Sequence, residues 1–130
     1  MRRLEIFRYV AALTLCVPAL AAPPPPAAPI SMDPAVVNAK TVHVKMENAR
    51  VRVLEAVLQP GDKEQLHSHP AYVIYVIAGG RTRNHMANGD TKDSEMVTGD
   101  VIFREPLTHW AENIGTTTIR LVLVELKGPA

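Results

Sequence analysis

The segment GDKEQLHSHPAYVIYVIAGG, residues 61–80, sets two histidines one residue apart and follows them with an apolar run closed by two glycines. On an extended strand, residues i and i+2 share a face. The rings of His67 and His69 therefore project side by side, a geometry suited to gripping one metal ion. A third histidine, His109, lies further along the chain and must be brought in by the fold.

Working outward from this segment, the pattern is one of short strands and turns. Val42, Val44 and Met46 alternate with Thr41, His43, Lys45 and Glu47, and Val51 and Val53 continue the alternation after a turn at Asn48-Ala49. Gln59-Pro60-Gly61-Asp62 is a turn signal ahead of the histidines, and Tyr72 to Ala78 reads as a buried strand. Asn88-Gly89, between Arg81–Ala87 and Thr91–Val97, is a tight-hairpin dipeptide. Gly99-Asp100 turns into Val101-Ile102-Phe103, Pro106 bends the chain before His109, and Thr116 to Leu126 is a last strand rich in branched residues. No helix is expected after the first segment. The pattern predicts a small all-β barrel or double-sheet sandwich.

The N-terminus reads differently. Arg2, Arg3 and Arg8 precede an apolar run from Tyr9 to Leu20, and Ala19-Leu20-Ala21 supplies small residues for cleavage. Residues 1–21 are read as a secretory signal peptide, so the mature chain is expected to be periplasmic or secreted. The run falls short of the roughly 20 apolar residues a spanning helix needs, so no stable membrane insertion is expected after cleavage. Cys16 follows Leu15, which is too large for lipoprotein processing, and leaves with the signal. The mature chain then has no disulfide and no thiolate ligand. Residues 22–37, proline-rich at the start, are read as an extended linker, and residues 38–128 as the domain.

A chain of 130 residues with 47% hydrophobic content allows one domain with a real core. The net charge of +1 falls to about −1 once the signal, with three Arg and one Glu, is removed. Neither value supports a nucleic-acid surface.

The motifs resemble those of the cupin superfamily. Its first motif runs glycine, five residues, His-x-His, three or four residues, glutamate, six residues, glycine. Gly61, His67, His69 and Gly80 match it. Of the second motif, Gly99, Asp100, Pro106, His109 and Asn113 are present. The resemblance covers roughly residues 40–127 and implies a double-stranded β-helix, or jelly roll, holding a metal inside. Two features depart from it. The glutamate position falls on Val73 or Tyr72, and the second motif is shortened between Pro106 and His109 and lacks its glycine.

The implied ligands are His67, His69 and His109, and the implied cofactor is a divalent Fe, Mn, Ni or Zn ion. Three neutral imidazoles leave its charge uncompensated, so a bidentate anionic ligand such as an enolate or flavonolate is expected to supply the balance. This set resembles that of three-histidine, quercetin-dioxygenase-like cupins. The first reading is therefore a dioxygenase-like protein acting on a small oxygen-rich compound. A non-enzymatic small-ligand binder is the second. A metal-assisted sugar isomerase or epimerase is the third, lacking a legible acid–base pair. Tyr75 and Tyr72 are candidate substrate-binding residues, against the plainer reading of packing. His43 and His85 read as exposed or structural, and Trp110 as core or subunit contact. Glu64, Glu95, Glu105 and Glu112 read as solvated charges, with Glu105 or Glu112 able to reach the metal if the shortened loop folds inward. The resemblance also implies a homodimer, with the Thr116–Leu126 strand contributing.

Overall fold

The computed structural model describes residues 31–128. The expected signal peptide, Cys16 and the proline run before Ser31 lie outside the described residues. Among the described residues, nine antiparallel strands form two sheets. They are β1 (Val42–Glu47), β2 (Val51–Leu58), β3 (His67–His69), β4 (Tyr72–Ala78), β5 (Gly80–Met86), β6 (Thr91–Met96), β7 (Val101–Arg104), β8 (Leu107–Asn113) and β9 (Ile119–Leu126). One sheet runs β1-β2-β9-β4-β7, the other β3-β8-β5-β6. The two inner faces enclose the core, as alternation along each strand requires. Leu54, Ala56 and Leu58, Tyr72, Ile74 and Val76, and Ile119, Leu121 and Leu123 supply one wall. This is the expected jelly roll.

Several turns lie where the sequence placed them. Gly61, Gly89 and Gly99 have φ of 86°, 92° and 94°, in the left-handed region that glycine occupies without steric cost. The Asp62 carboxylate accepts from the Gln59 N–H at 2.8 Å, and the Asn48 side chain caps the β1–β2 turn through the amides of Arg50 and Val51.

Three expectations are corrected. Pro34–Val37 form a helical turn, α1, where a linker and no helix were read. Asp33 caps it by accepting from the Ala35 N–H, and Pro34 at its first turn has no amide to leave unpaired. Pro34 is buried, and α1 packs against β1 and β3, so the folded domain begins before residue 38. The buried phase of β2 is the opposite of that expected, with Leu54, Ala56 and Leu58 inside and Val51 and Val53 outside. A register shift between Val44 and Met46 moves Met46 opposite Val53, so an even alternation cannot carry across the hairpin. Finally, β4 is not buried on both faces: Tyr75 and Ile77 are exposed.

Candidate metal centre

β3 and β8 are neighbours, and their register pairs His67 directly with His109. His69 follows His67 on the same face. All three histidines are buried, and their candidate ligand atoms lie within 4.8 Å of one another. Three imidazoles meet at one point because a short strand presents two and its partner presents the third.

Each ring is held by its Nδ1 atom. His67 Nδ1 donates to the Gln65 carbonyl at 2.7 Å. Asn38 fixes that carbonyl in turn, accepting from the Gln65 N–H at 2.6 Å and donating to the Gln65 oxygen at 3.2 Å. His69 Nδ1 donates to Glu125 Oε1 at 2.6 Å, and His109 Nδ1 to Asn84 Oδ1 at 3.1 Å. A proton fixed on Nδ1 leaves the Nε2 lone pair free. Burial holds His67 neutral, its pKa pushed down to about 4. Burial, with His67 and His69 nearby, pushes His109 down to about 3. His109 Nε2 is buried and has no hydrogen-bond partner among the described residues. Such an atom costs stability unless something binds it, and a divalent cation fits a cluster of three buried imidazoles.

Glu64, expected to be a solvated charge, is buried instead. One of its oxygens, Oε2, accepts from the Ala111 N–H at 3.2 Å and lies 3.9 Å from His67 Nε2. Burial pushes its pKa up to about 7. Glu105 is exposed. Glu112 meets Lys63 at 3.3 Å and His85 at 3.4 Å and does not join the histidine cluster. His43 is exposed as expected, and His85 stacks flat on Trp110 with ring centroids 3.5 Å apart. Trp110 is therefore half-buried against a histidine, not core.

The histidines, Glu64 and Tyr72 line a cavity of about 170 Å³. The Tyr72 ring packs on His69, with centroids 4.6 Å apart, and burial pushes its phenol up to about 12. Tyr75 does not line the cavity. It lies three residues along the strand from Tyr72, so it points outward and is 48% exposed.

No protein-family model matches the chain, and no curated protein matches it. Solved structures do. A cupin domain from Bordetella pertussis Tohama I superposes with a TM-score of 0.62 at 27% identity, over 67% of this chain and 92% of that one. A protein with a double-stranded β-helix domain from Klebsiella pneumoniae gives 0.52 at 26% identity, over 67% and 76%. A cupin-like protein from Thermotoga maritima shares the fold, at a TM-score of 0.52 and 20% identity over 68% and 71%. The chain has the double-stranded β-helix fold of the cupins. Within that fold it departs from the cupin motif at the carboxylate position. Val73 faces away from the cavity, and Tyr72 occupies the inner position. Glu64, on the other side of the histidine pair in sequence, puts a carboxyl group in the cavity instead.

Sequence reasoning missed Glu64, Glu125, Asn38 and Asn84. Glu125 had a signal: Ile119, Leu121, Leu123 and Glu125 share one phase of β9, so its carboxylate sits on the buried face. Glu64 lies in no strand, and no periodicity marks it.

Proposed function

We propose that this chain is an exported, metal-binding cupin that acts on a small oxygen-rich compound, as a dioxygenase-like oxidoreductase related to the quercetin-dioxygenase-like group. One observation carries the reading: three buried histidines bring their candidate ligand atoms within 4.8 Å of one another, each ring held through Nδ1, with the Nε2 of His109 unpartnered among the described residues. His67, His69 and His109 would hold the ion. A divalent Fe, Mn, Ni or Zn ion would polarise a bound oxygen-rich ligand or, as iron, activate oxygen. The chain's own groups do the rest. Gln65, Glu125 and Asn84 orient the rings, and the hydrocarbon walls exclude water. Glu64 is the carboxyl group placed to exchange a proton with a ligand in the cavity.

The test is elemental analysis of protein purified without an affinity tag, followed by metal titration. A chain with no affinity for any of the four metals ends the reading. Oxygen uptake by the loaded protein with flavonols, diketones and thiols then separates an enzyme from a binder. The absence of the motif carboxylate favours a binder as the second reading. Under it, His69→Ala abolishes metal and ligand binding while no turnover is ever seen in the parent protein.

A further inference from the structure

Across the inner face of the five-stranded sheet runs one row of side chains: Arg52, Glu125, Tyr72 and Arg104. The arginines at its two ends are treated unequally. Arg52 meets Asp33 at 3.0 Å, Glu47 at 3.7 Å and Glu125 at 3.9 Å. Arg104 is half-buried and lines the cavity with the three histidines. Among the described residues it makes no ion pair and no side-chain hydrogen bond. Lys92, exposed, adds a second positive charge to the cavity lining.

A guanidinium carries five N–H donors in a planar fork that matches a carboxylate two bonds at a time. Turned toward a cavity of low dielectric, and unpaired with Glu64, the acid that shares its lining, it is costly unless a ligand supplies the anion. Most of the remaining wall is hydrocarbon, including Leu58, Ile74, Met86, Met96, Leu121 and Leu123. A single half-buried guanidinium and apolar walls match a singly charged acid with a hydrocarbon body. A doubly charged, strongly hydrated phosphate would lose more hydration than one arginine returns.

We propose that Arg104 is the anion-binding residue of the cavity, and that the ligand class is small organic acids, the carboxylate on the guanidinium and the hydrocarbon body against the apolar wall. The assignment rests on the reading of this cavity as the ligand site.

The test is an NMR titration of the full mature chain, metal-free and zinc-loaded, with butyrate, 2-oxobutyrate, butyramide and inorganic phosphate. Both acids are expected to bind at least tenfold more tightly than butyramide or phosphate. Arg104→Gln is expected to erase that preference with the zinc stoichiometry retained, and Arg104→Lys to retain part of it. In the parent protein, the Arg104 Nε–H resonance is expected to shift on adding butyrate, a readout independent of whether any variant folds. Equal affinity for butyrate and butyramide, tighter binding of phosphate, an unmoved Arg104 resonance, or an unaltered preference in Arg104→Gln overturns the proposal. A parent protein that fails to take zinc but keeps the acid preference sinks the metal reading and leaves Arg104 assigned.

Discussion

Glu125 accepts the His69 Nδ1 proton at 2.6 Å and so fixes both the tautomer and the tilt of that ring. Partners of this kind typically govern metal affinity by 10- to 100-fold. Glu125→Gln keeps the shape but weakens the bond, and zinc affinity measured by calorimetry is expected to fall by about that range. Unchanged affinity would make the contact incidental. The same cluster sets a pH dependence for the metal-free protein. His67 and His109 have folded pKa values of about 4 and about 3, below their ordinary 6.5. Below pH 6.5 the unfolded chain takes up protons that the folded one refuses, so stability falls with acidification and levels off near pH 3. Glu64 acts in the opposite sense. Its folded pKa of about 7 exceeds the ordinary 4.5, so its contribution is full below pH 4.5 and lost as the pH rises through 7. Two histidines outweigh one glutamate between these limits, which places the stability maximum near pH 6.5. Urea denaturation in chelator is expected to show that maximum, and Glu64→Gln to remove the decline on its alkaline side. A flat profile between pH 5 and 8 contradicts both signs.

At the scale of elements, the strands were readable where local chemistry decides them. Gly61, Gly89 and Gly99 punctuate the chain because their turns need positive φ. The histidine pair was readable because a two-residue spacing leaves a strand no choice of face. What failed was phase. β2 inverts because one irregularity in β1, between Val44 and Met46, resets which side chains meet across the hairpin. Its sequence carries apolar residues in both phases, Val51 and Val53 against Leu54, Ala56 and Leu58, so composition cannot choose. The helical turn at Pro34 was hidden because its cap, Asp33, follows a proline run that reads as extended chain. Tyr75, a candidate for the cavity by residue type, lies outside because an odd separation from Tyr72 puts it on the other face of β4. The link between β4 and β5 gives a sharper prediction. A Cβ at Gly79 would lie 2.0 Å from the Met96 carbonyl oxygen and 3.0 Å from the Thr98 nitrogen, both backbone atoms of the β6 end. Neither yields as a flexible side chain would. Gly79→Ala is expected to cost about 1–3 kcal/mol, the usual range for overpacking, with the zinc stoichiometry retained. An unchanged denaturation midpoint would mean that the β4–β5 corner can move.

On the scale of the whole molecule, the two sheets differ on their outer faces. Outside the four-stranded sheet stand Arg83 with Asp93, Lys63 with Glu112, and the His85–Trp110 stack. Outside the five-stranded sheet the register lines up Met46, Val53, Val124, Val73 and Phe103 in one row, with Val122, Tyr75 and Val101 beside it. Val101 is 71% exposed and Phe103 53%. An exposed apolar stripe of this kind, bordered by Glu55 with Lys45 and Arg120, marks an interaction surface more often than a solvated one. The sequence pointed to the Thr116–Leu126 strand for subunit pairing. β9 lies in the middle of its sheet with both edges bonded, so it has no free edge to offer a second copy. It contributes Val122 and Val124 to the outer face instead. The homodimer expected of this chain would therefore form face to face, the same row meeting itself across a two-fold axis. Light scattering on the mature protein at tens of micromolar is expected to give a dimer. Phe103→Lys sets one new charge on each copy against that face, and burying such unpaired charges costs far more than the interface loses in area. The variant is expected to run as a monomer with its zinc stoichiometry and its denaturation curve per chain little changed, since residue 103 touches neither the cavity nor the core. A parent protein that is monomeric at these concentrations, or a Phe103→Lys variant that stays dimeric, would move the interface elsewhere.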